Sequence, residues 1–331
     1  MTRDERIVVG LAYPPEWDRR PAGTIARDVR SVAEVDRRVV LTHCRLDAGD
    51  ERSAALVRDL DVVVALSLPS DVLRIAPRLR WVQSVGAGVG GLVSRDVTAA
   101  GIRVTSASGV NAVAVAEFAF ARVLAHFKRF DELRRLQAEH RWSPCHGTQL
   151  AGKTLGVLGF GAIGVEVALR ARAFGMSVTA VRRRVDRPSP HADRVYGPHE
   201  THAMLAECDA VVAALPESAA TAEVMDADAF AAMRPGAFFC NVGRGSAVVE
   251  QAMAAALRSG HLGGAAIDVA RREPLPTDDP LWDVPRLVIS PHSATAADAH
   301  FAGLYGLLRD NLARFLSGRP LINEVDPERG Y

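Results

Sequence analysis

Short apolar runs separated by longer amphipathic stretches recur along the chain. IVVGLA (7–12), DVVVALSL (61–68), LRWVQSV (79–85) and IRVTSA (102–107) are nearly continuous in apolar residues. Runs of this length with little polar alternation predict strands buried on both faces, as in a helix-covered parallel sheet. A long helical stretch follows, NAVAVAEFAFARVLAHFKRFDELRRLQAEHRW (111–142), apolar or small in its first half and charged in its second. A first half that apolar predicts a helix buried between domains or subunits rather than lying on a surface.

A second series begins at residue 154. TLGVLGFG (154–161), SVTAV (177–181), DAVVAALP (209–216), GAFFCNVG (236–243), GGAAIDVA (263–270) and RLVISPH (286–292) read as its strands, with helices such as 162–174 and 247–259 between them. Strand–helix alternation of this kind predicts an α/β fold with doubly wound parallel sheets. ADAHFAGLYGLLRDNLARFLSG near the end reads as one more amphipathic helix. The 331 residues suit about two domains.

Composition narrows the class. Forty Lys and Arg against 39 Asp and Glu leave a net charge of +1, which argues against a nucleic-acid or membrane-surface protein. The N-terminal stretch MTRDERIVVGLAYPP holds too few consecutive apolar residues for a secretory signal, and no run is long enough to span a membrane. A cytoplasmic protein is expected. Cys44, Cys145, Cys208 and Cys240 are isolated, so neither a disulfide framework nor a structural zinc site is expected. Neither the adjacent Cys145 and His146 nor the pair His199 and His202 completes a metal shell, and no metal is expected.

GFGAIG (159–164) fits G-x-G-x-x-G in the context that motif requires, between the strand TLGVL and the helix AIGVEVALRARAF. Gly159 suits the tight turn, Gly161 lets backbone approach a pyrophosphate, and Gly164 permits close helix–strand packing. A carboxylate is expected about twenty residues further on, where it would bind the adenosine ribose 2′-hydroxyl. Counting from Gly164 arrives instead at Arg182 and Arg183, with Arg184 following. A guanidinium there favours a 2′-phosphate, and hence NADP over NAD, without excluding NAD.

Three successive strands each deliver a chemical residue at the carboxyl end, where open α/β sheets bind ligands. Arg244 follows AFFCNV, Glu273 follows AAIDV, and His292 follows RLVIS. Singly, each is compatible with a solvated loop; together, beside a nucleotide motif, they point to catalysis. Arg244 suits a carboxylate and the adjacent carbonyl oxygen of a 2-oxo acid. His292 suits proton exchange with the hydroxyl, and Glu273 would orient the imidazole and favour its charged form.

With these residues in place, the chain resembles the D-isomer-specific 2-hydroxyacid dehydrogenase family, which includes phosphoglycerate dehydrogenases and glyoxylate/hydroxypyruvate reductases. The resemblance rests on SVGAGVGGL, GVNAVAVAEFAF, LAGKTLGVLGFGAIG, LPESAATAEVMDADAFAAMRPGAFFCNVGRG, GGAAIDVARREPLP, PLWDVPRLVISPH and NEVDPERGY, spanning about residue 80 to the end. It implies Arg244, Glu273 and His292 as the catalytic set, with backbone amides around Ala87 and Gly88 holding the substrate carboxylate. Ala162, Ile163, Leu215, Pro216, Val242, Gly243 and Asp268 would line the cofactor, Asp268 near the nicotinamide amide. It implies a Rossmann cofactor domain (107–292) inserted into a flavodoxin-like substrate domain (1–106 and 293–331), and a homodimer through the apolar helix starting near Asn111.

Gly90 departs from the family pattern, replacing an acid in GAGVG, and the first eighty residues carry no decodable motif. The expected activity is NAD(P)-dependent interconversion of a small 2-oxo acid and its D-2-hydroxy acid. The same machinery also suits a phosphite or phosphonate-acid dehydrogenase, or a dinucleotide-sensing binding protein like the related corepressors.

Overall fold

The computed structural model describes residues 6–47, 51–187 and 189–326. Residues 1–5 and 327–331, parts of the two terminal stretches read above, lie outside the described residues. The chain divides into two compact units, one formed by Met1–Asn111 with Ala296–Tyr331, the other by Ala112–Thr295. The divisions fall after residues 111 and 295, rather than after the expected 106 and 292. Hydrogen bonds explain the first shift. Ser106 and Ala107 donate backbone N–H groups to Asn323 and Gly86, and the Asn111 amide bonds His300 at 2.8 Å, tying 106–111 to the first unit.

The first unit is a parallel sheet of β1 (Ile7–Ala12), β2 (Val39–His43), β3 (Val62–Ala65), β4 (Trp81–Ser84) and β5 (Arg103–Thr105), in the order β2-β1-β3-β4-β5. Successive side chains point to opposite faces, so the continuous run in β3 feeds two cores. Val62 and Val64 join Val9, Leu11 and Trp81 beneath Phe301, Leu304, Leu308 and Leu312 of the helix Ala297–Leu316. Val63 and Ala65 join Val82, Val104 and Leu60 on the other face.

Polar bonds buried in this core fix the returning helix. Trp81 donates its indole N–H to Thr105 at 2.8 Å, and the Thr105 hydroxyl bonds the Gln83 carbonyl oxygen at 2.8 Å. Asn311 donates to the Ile322 carbonyl at 3.0 Å and accepts the Ile322 N–H at 2.7 Å. Trp81, Gln83, Thr105 and Asn311 are all fully buried, so loss of a partner strands a polar group away from water.

The second unit is a seven-stranded parallel sheet of β6 (Thr154–Leu158), β7 (Ser177–Val181), β8 (Arg194–Tyr196), β9 (Ala210–Ala213), β10 (Phe238–Asn241), β11 (Gly264–Ile267) and β12 (Leu287–Ile289). Its order is β12-β11-β10-β9-β6-β7-β8, so the chain runs outward from β6 to β8 and then crosses back to lay β9 on the other side of β6. The helices Ala112–Phe127 and Ala162–Ala173 cover one face through Val115, Ala119, Val123, Val167 and Ala171. Phe230, Met253 and Leu257 pack on the other face.

One expectation changes here. The long helix read over 111–142 breaks at Arg129, whose φ is +56°, and a separate helix runs Phe130–Ala138. The apolar half lies against the sheet of its own unit, which accounts for its small residues: Ala116 and Ala119 permit close approach. The edge strands β2 and β8 are additions to the sequence reading.

Asn311→Ala should cost about 1–3 kcal/mol by orphaning the Ile322 N–H and C=O. Urea unfolding measures this; a loss below about 0.5 kcal/mol would contradict the anchoring role.

Candidate active site

The cradle is built where β6 ends. Gly159 has φ +94°, a left-handed conformation that strongly favours glycine, and donates its N–H to Val181 at 3.1 Å. A Cβ on Gly164 would lie 2.5 Å from the Gly159 carbonyl oxygen, whereas one on Gly161 would meet nothing within 4 Å. Gly164 therefore serves packing, and Gly161 leaves open space above the turn. The helix Ala162–Ala173 starts with no side-chain cap, so its first N–H groups face that space with the positive end of the helix dipole. This fits a dinucleotide pyrophosphate.

Around the cradle, Gly161 and Ala162 are exposed and Ile163 is half-buried against the core. Leu215 is half-buried, Pro216 exposed and Val242 buried. Arg182 follows β7 directly; its N–H bonds the Tyr196 carbonyl at 3.1 Å and its Nη1 donates to the Ser189 hydroxyl at 2.9 Å. Arg183 is exposed, and Arg184 lies 3.7 Å from Asp186.

At the same carboxyl end, β10, β11 and β12 lie side by side, and each delivers one of the residues expected there. At the end of β10, the buried Asn241 side-chain Oδ1 accepts the Gly243 N–H and its side-chain amide donates to the Arg244 carbonyl, both at 3.0 Å. This clamp shapes the turn that presents Arg244, whose Nη1 donates to the Gly243 carbonyl at 2.7 Å. A Cβ on Gly243 would lie 2.6 Å from the Leu215 N, and one on Gly245 would lie 2.0 Å from the Ala270 carbonyl carbon. Only the missing side chain at Gly245 lets the loop after β10 rest on the loop after β11.

His292 and Glu273 meet directly. Nδ1 of His292 lies 2.8 Å from Oε2 of Glu273, whose Oε1 accepts the Ala270 N–H at 3.0 Å. Both side chains stay partly exposed, His292 at 50% and Glu273 at 39%, so the ring is held yet reachable. His292 adopts φ +51°, which is uncommon for a non-glycine residue. Its N–H donates to the Asp268 carbonyl at 2.8 Å. The Asp268 carboxylate, buried at 3% exposure, accepts from the Ser290 hydroxyl at 2.6 Å and the Ser293 and Ala294 N–H groups at 2.9 Å. Asp268, expected beside a nicotinamide amide, thus spends both oxygens gripping the loop that carries His292.

Several supporting residues escape the sequence reading. Glu250 accepts the Arg271 N–H at 2.7 Å, and Arg271 pairs with Glu223 at 2.6 Å, pinning the strap that carries Glu273. Half-burial raises the Glu250 carboxyl above its ordinary range. Asn241 was detectable, since Asn two residues before a turn glycine commonly bonds the backbone there. Glu223 and Glu250 carry no local signal.

In the other unit, Ala87 and Gly88 lie exposed after β4, in a turn where the Ser84 hydroxyl donates to the Gly88 carbonyl at 2.9 Å. Burial pushes the Cys208 and Cys240 thiols up to about 12 and Cys44 up to about 11, which disfavours thiolate chemistry at these three. Among the described residues no group of three His, Cys, Asp or Glu is arranged to hold a metal, and no helix is long and apolar enough to cross a membrane.

A phosphate cradle and a carboxylate-oriented imidazole at one end of one sheet define a pyridine-nucleotide oxidoreductase. The sequence model of the "D-isomer specific 2-hydroxyacid dehydrogenase, NAD binding domain" matches residues 120–294. A glyoxylate reductase of Korarchaeum cryptofilum is 29% identical over 93% of this chain and 97% of its own length. A D-3-phosphoglycerate dehydrogenase of Mycobacterium leprae is 36% identical over 82% of this chain, which spans only 50% of that relative. Among solved structures, a D-isomer-specific 2-hydroxyacid dehydrogenase from Xanthobacter autotrophicus Py2, in complex with NADPH and MES, is similar with a TM-score of 0.81. It is 29% identical, and the match covers 99% of this chain and 100% of that one.

The chain belongs to the D-isomer-specific 2-hydroxyacid dehydrogenase family. It is an NAD(P)-dependent oxidoreductase acting on CH–OH donors, and the resemblance read from its motifs is borne out.

Gly245→Ala should displace the strap 270–273 and lower kcat about 100-fold, the scale of a 1 Å misplacement at a reacting site. Steady-state assays check this; near-normal kcat would show that the loops do not depend on that contact.

Proposed function

We propose that the enzyme reduces a small 2-oxo acid to its D-2-hydroxy acid, with NADP(H) preferred. The observation that carries the chemistry is the 2.8 Å contact between His292 Nδ1 and Glu273 Oε2. With Nδ1 engaged by a carboxylate, Nε2 is the nitrogen left to exchange a proton with substrate. Arg244 presents a guanidinium from the neighbouring strand end, suited to a carboxylate and an adjacent carbonyl oxygen. The resemblance adds the amides around Ala87 and Gly88 as further carboxylate donors.

When bound, the reduced nicotinamide supplies the hydride equivalent that C2 of the substrate accepts. The C=O π pair then passes to oxygen, which takes the proton from Nε2 of His292. Glu273 holds the ring through Nδ1 with Nε2 toward the substrate, and Arg244 stabilises the charge developing on oxygen. Oxidation of the hydroxy acid is the reverse, with His292 as the base.

The NADP preference rests on Arg182 and Arg183 occupying the end of β7, where a carboxylate would repel a 2′-phosphate. The NADPH held by the Xanthobacter relative supports the same reading. A homodimer through the helix Ala112–Phe127, in the cytoplasm, completes the proposal. Val113 on that helix is exposed, as are Phe130 and Leu133 on the helix after it and Trp142 beyond, and this apolar surface supports the assembly.

With glyoxylate as substrate, His292→Ala should lower kcat by roughly 10²–10⁴-fold while leaving NADPH binding nearly intact. Turnover within about threefold of wild type would remove His292 from the proton transfer. Arg182→Asp and Arg183→Asp should weaken NADPH at least about tenfold without comparable loss of NADH. Unchanged NADPH affinity in both variants would refute the 2′-phosphate assignment.

A further inference from the structure

Open α/β sheets use the carboxyl ends of their strands for ligands, so the amino ends ordinarily serve only packing and turns. In the first unit the amino ends are chemically unusual. Arg38, Arg6, Asp61 and Arg80 each immediately precede a strand, and those strands are the neighbours β2, β1, β3 and β4. Adjacent parallel strands lie about 4.8 Å apart, so four charged residues, three of them arginines, start one edge of the sheet in sequence. They line a recess of about 1280 Å³, which Arg37 and Arg78 also enter.

Five arginines there face three carboxylates, Glu34, Asp36 and Asp61. Two of those carboxylates are committed to structure. Asp61, 3% exposed, accepts the Val8 N–H at 3.0 Å and the Arg80 guanidinium at 3.2 Å, with Arg78 at 3.7 Å. Asp36 accepts the N–H, Nε and Nη2 groups of Arg38, each at 2.9 Å, and these bonds hold its carboxyl at about 2. The stem of Arg80 is fixed as well, its guanidinium 4.9 Å from the Phe315 ring centroid. Arg78 and Arg80 nevertheless remain 36% and 54% exposed beside Asp61. Arg6 and Arg37 are exposed. Five arginines against three carboxylates leave the recess lined with net positive charge, which suits the fork geometry of phosphate or carboxylate groups.

We propose that this recess is a binding site for a small polyvalent oxyanion, at the end of its sheet opposite the turn that carries Ala87 and Gly88. It is separate from the catalytic reading and does not depend on it. Its volume of about 1280 Å³ lies a little above the roughly 300–1,000 Å³ of ordinary small-molecule sites, so it has room for an anion carrying several phosphate or carboxylate groups.

The test is calorimetric titration of inorganic pyrophosphate, and in parallel citrate, into the full chain already saturated with NADPH, which keeps both probes out of the dinucleotide cradle. Wild type should bind at least one probe at about one per chain, more weakly as salt rises. The stronger probe identifies the ligand as phosphate-bearing or carboxylate-bearing. Arg6→Ser/Arg37→Ser should weaken binding at least about tenfold, and Arg6→Lys/Arg37→Lys should retain most of it. Both positions are exposed, so both variants should keep the wild-type melting temperature and NADPH-dependent turnover. Absence of binding by either probe at millimolar concentration, or equal affinity in the serine variant, would overturn the site.

Discussion

The buried carboxylate of Asp268 is the constraint on which the catalytic end of the second sheet depends. It sits just past β11 and reaches across to the segment leaving β12, where it takes a hydroxyl and two backbone N–H groups. Its own carbonyl takes the His292 N–H. A buried carboxylate is costly unless its acceptor sites are filled, and here every filled site lies on the loop that carries the imidazole. The positive φ of His292 is sustained by the same bonds. Glu273 then has a fixed ring to address from the next strap, itself held by Glu250 through Arg271.

The parallel register supplies the rest. β10, β11 and β12 pair residue by residue, so their exits fall on one edge. Side chains tens of residues apart in sequence become neighbours without any long loop. Gly243 and Gly245 let those exits stack, because even a methyl group at either would collide with backbone. Packing glycines, a buried acid and a turn asparagine therefore position Arg244, Glu273 and His292, the three residues proposed for the chemistry.

Much of this was legible in the chain. The central strands announced themselves as continuous apolar runs because they are buried on both faces, and β7 was read with its observed bounds, Ser177–Val181. The strands that escaped, β2 and β8, are the edges at one side of each sheet. Their sequences VVLTH and RVY are partly exposed and short, so no apolar run marks them. The break at Arg129 was hidden for another reason: arginine is not a residue that signals a left-handed turn. The three catalytic candidates followed from strand-end logic, whereas the roles of Glu223, Glu250 and Ser290 depend on long-range bonds that spacing does not encode. Asp268 was singled out, but its grip on the His292 loop appears only in three dimensions.

Arginine placement distinguishes the two units. In the second, Arg182 and Arg183 stand at the carboxyl edge of a sheet beside the phosphate cradle. In the first, arginines stand at the amino edge, interleaved with Asp61, which accepts from the Arg80 guanidinium. The central claim concerns the first of these chemistries: a proton-donating imidazole working with a reduced nicotinamide on a 2-oxo acid. The most direct measurement is the initial rate of NADPH and NADH oxidation across a panel including glyoxylate and hydroxypyruvate, with the configuration of each chiral product determined. The account predicts turnover of at least one 2-oxo acid, faster with NADPH, giving the D product. No oxidation with any 2-oxo acid, or an L product, would contradict it.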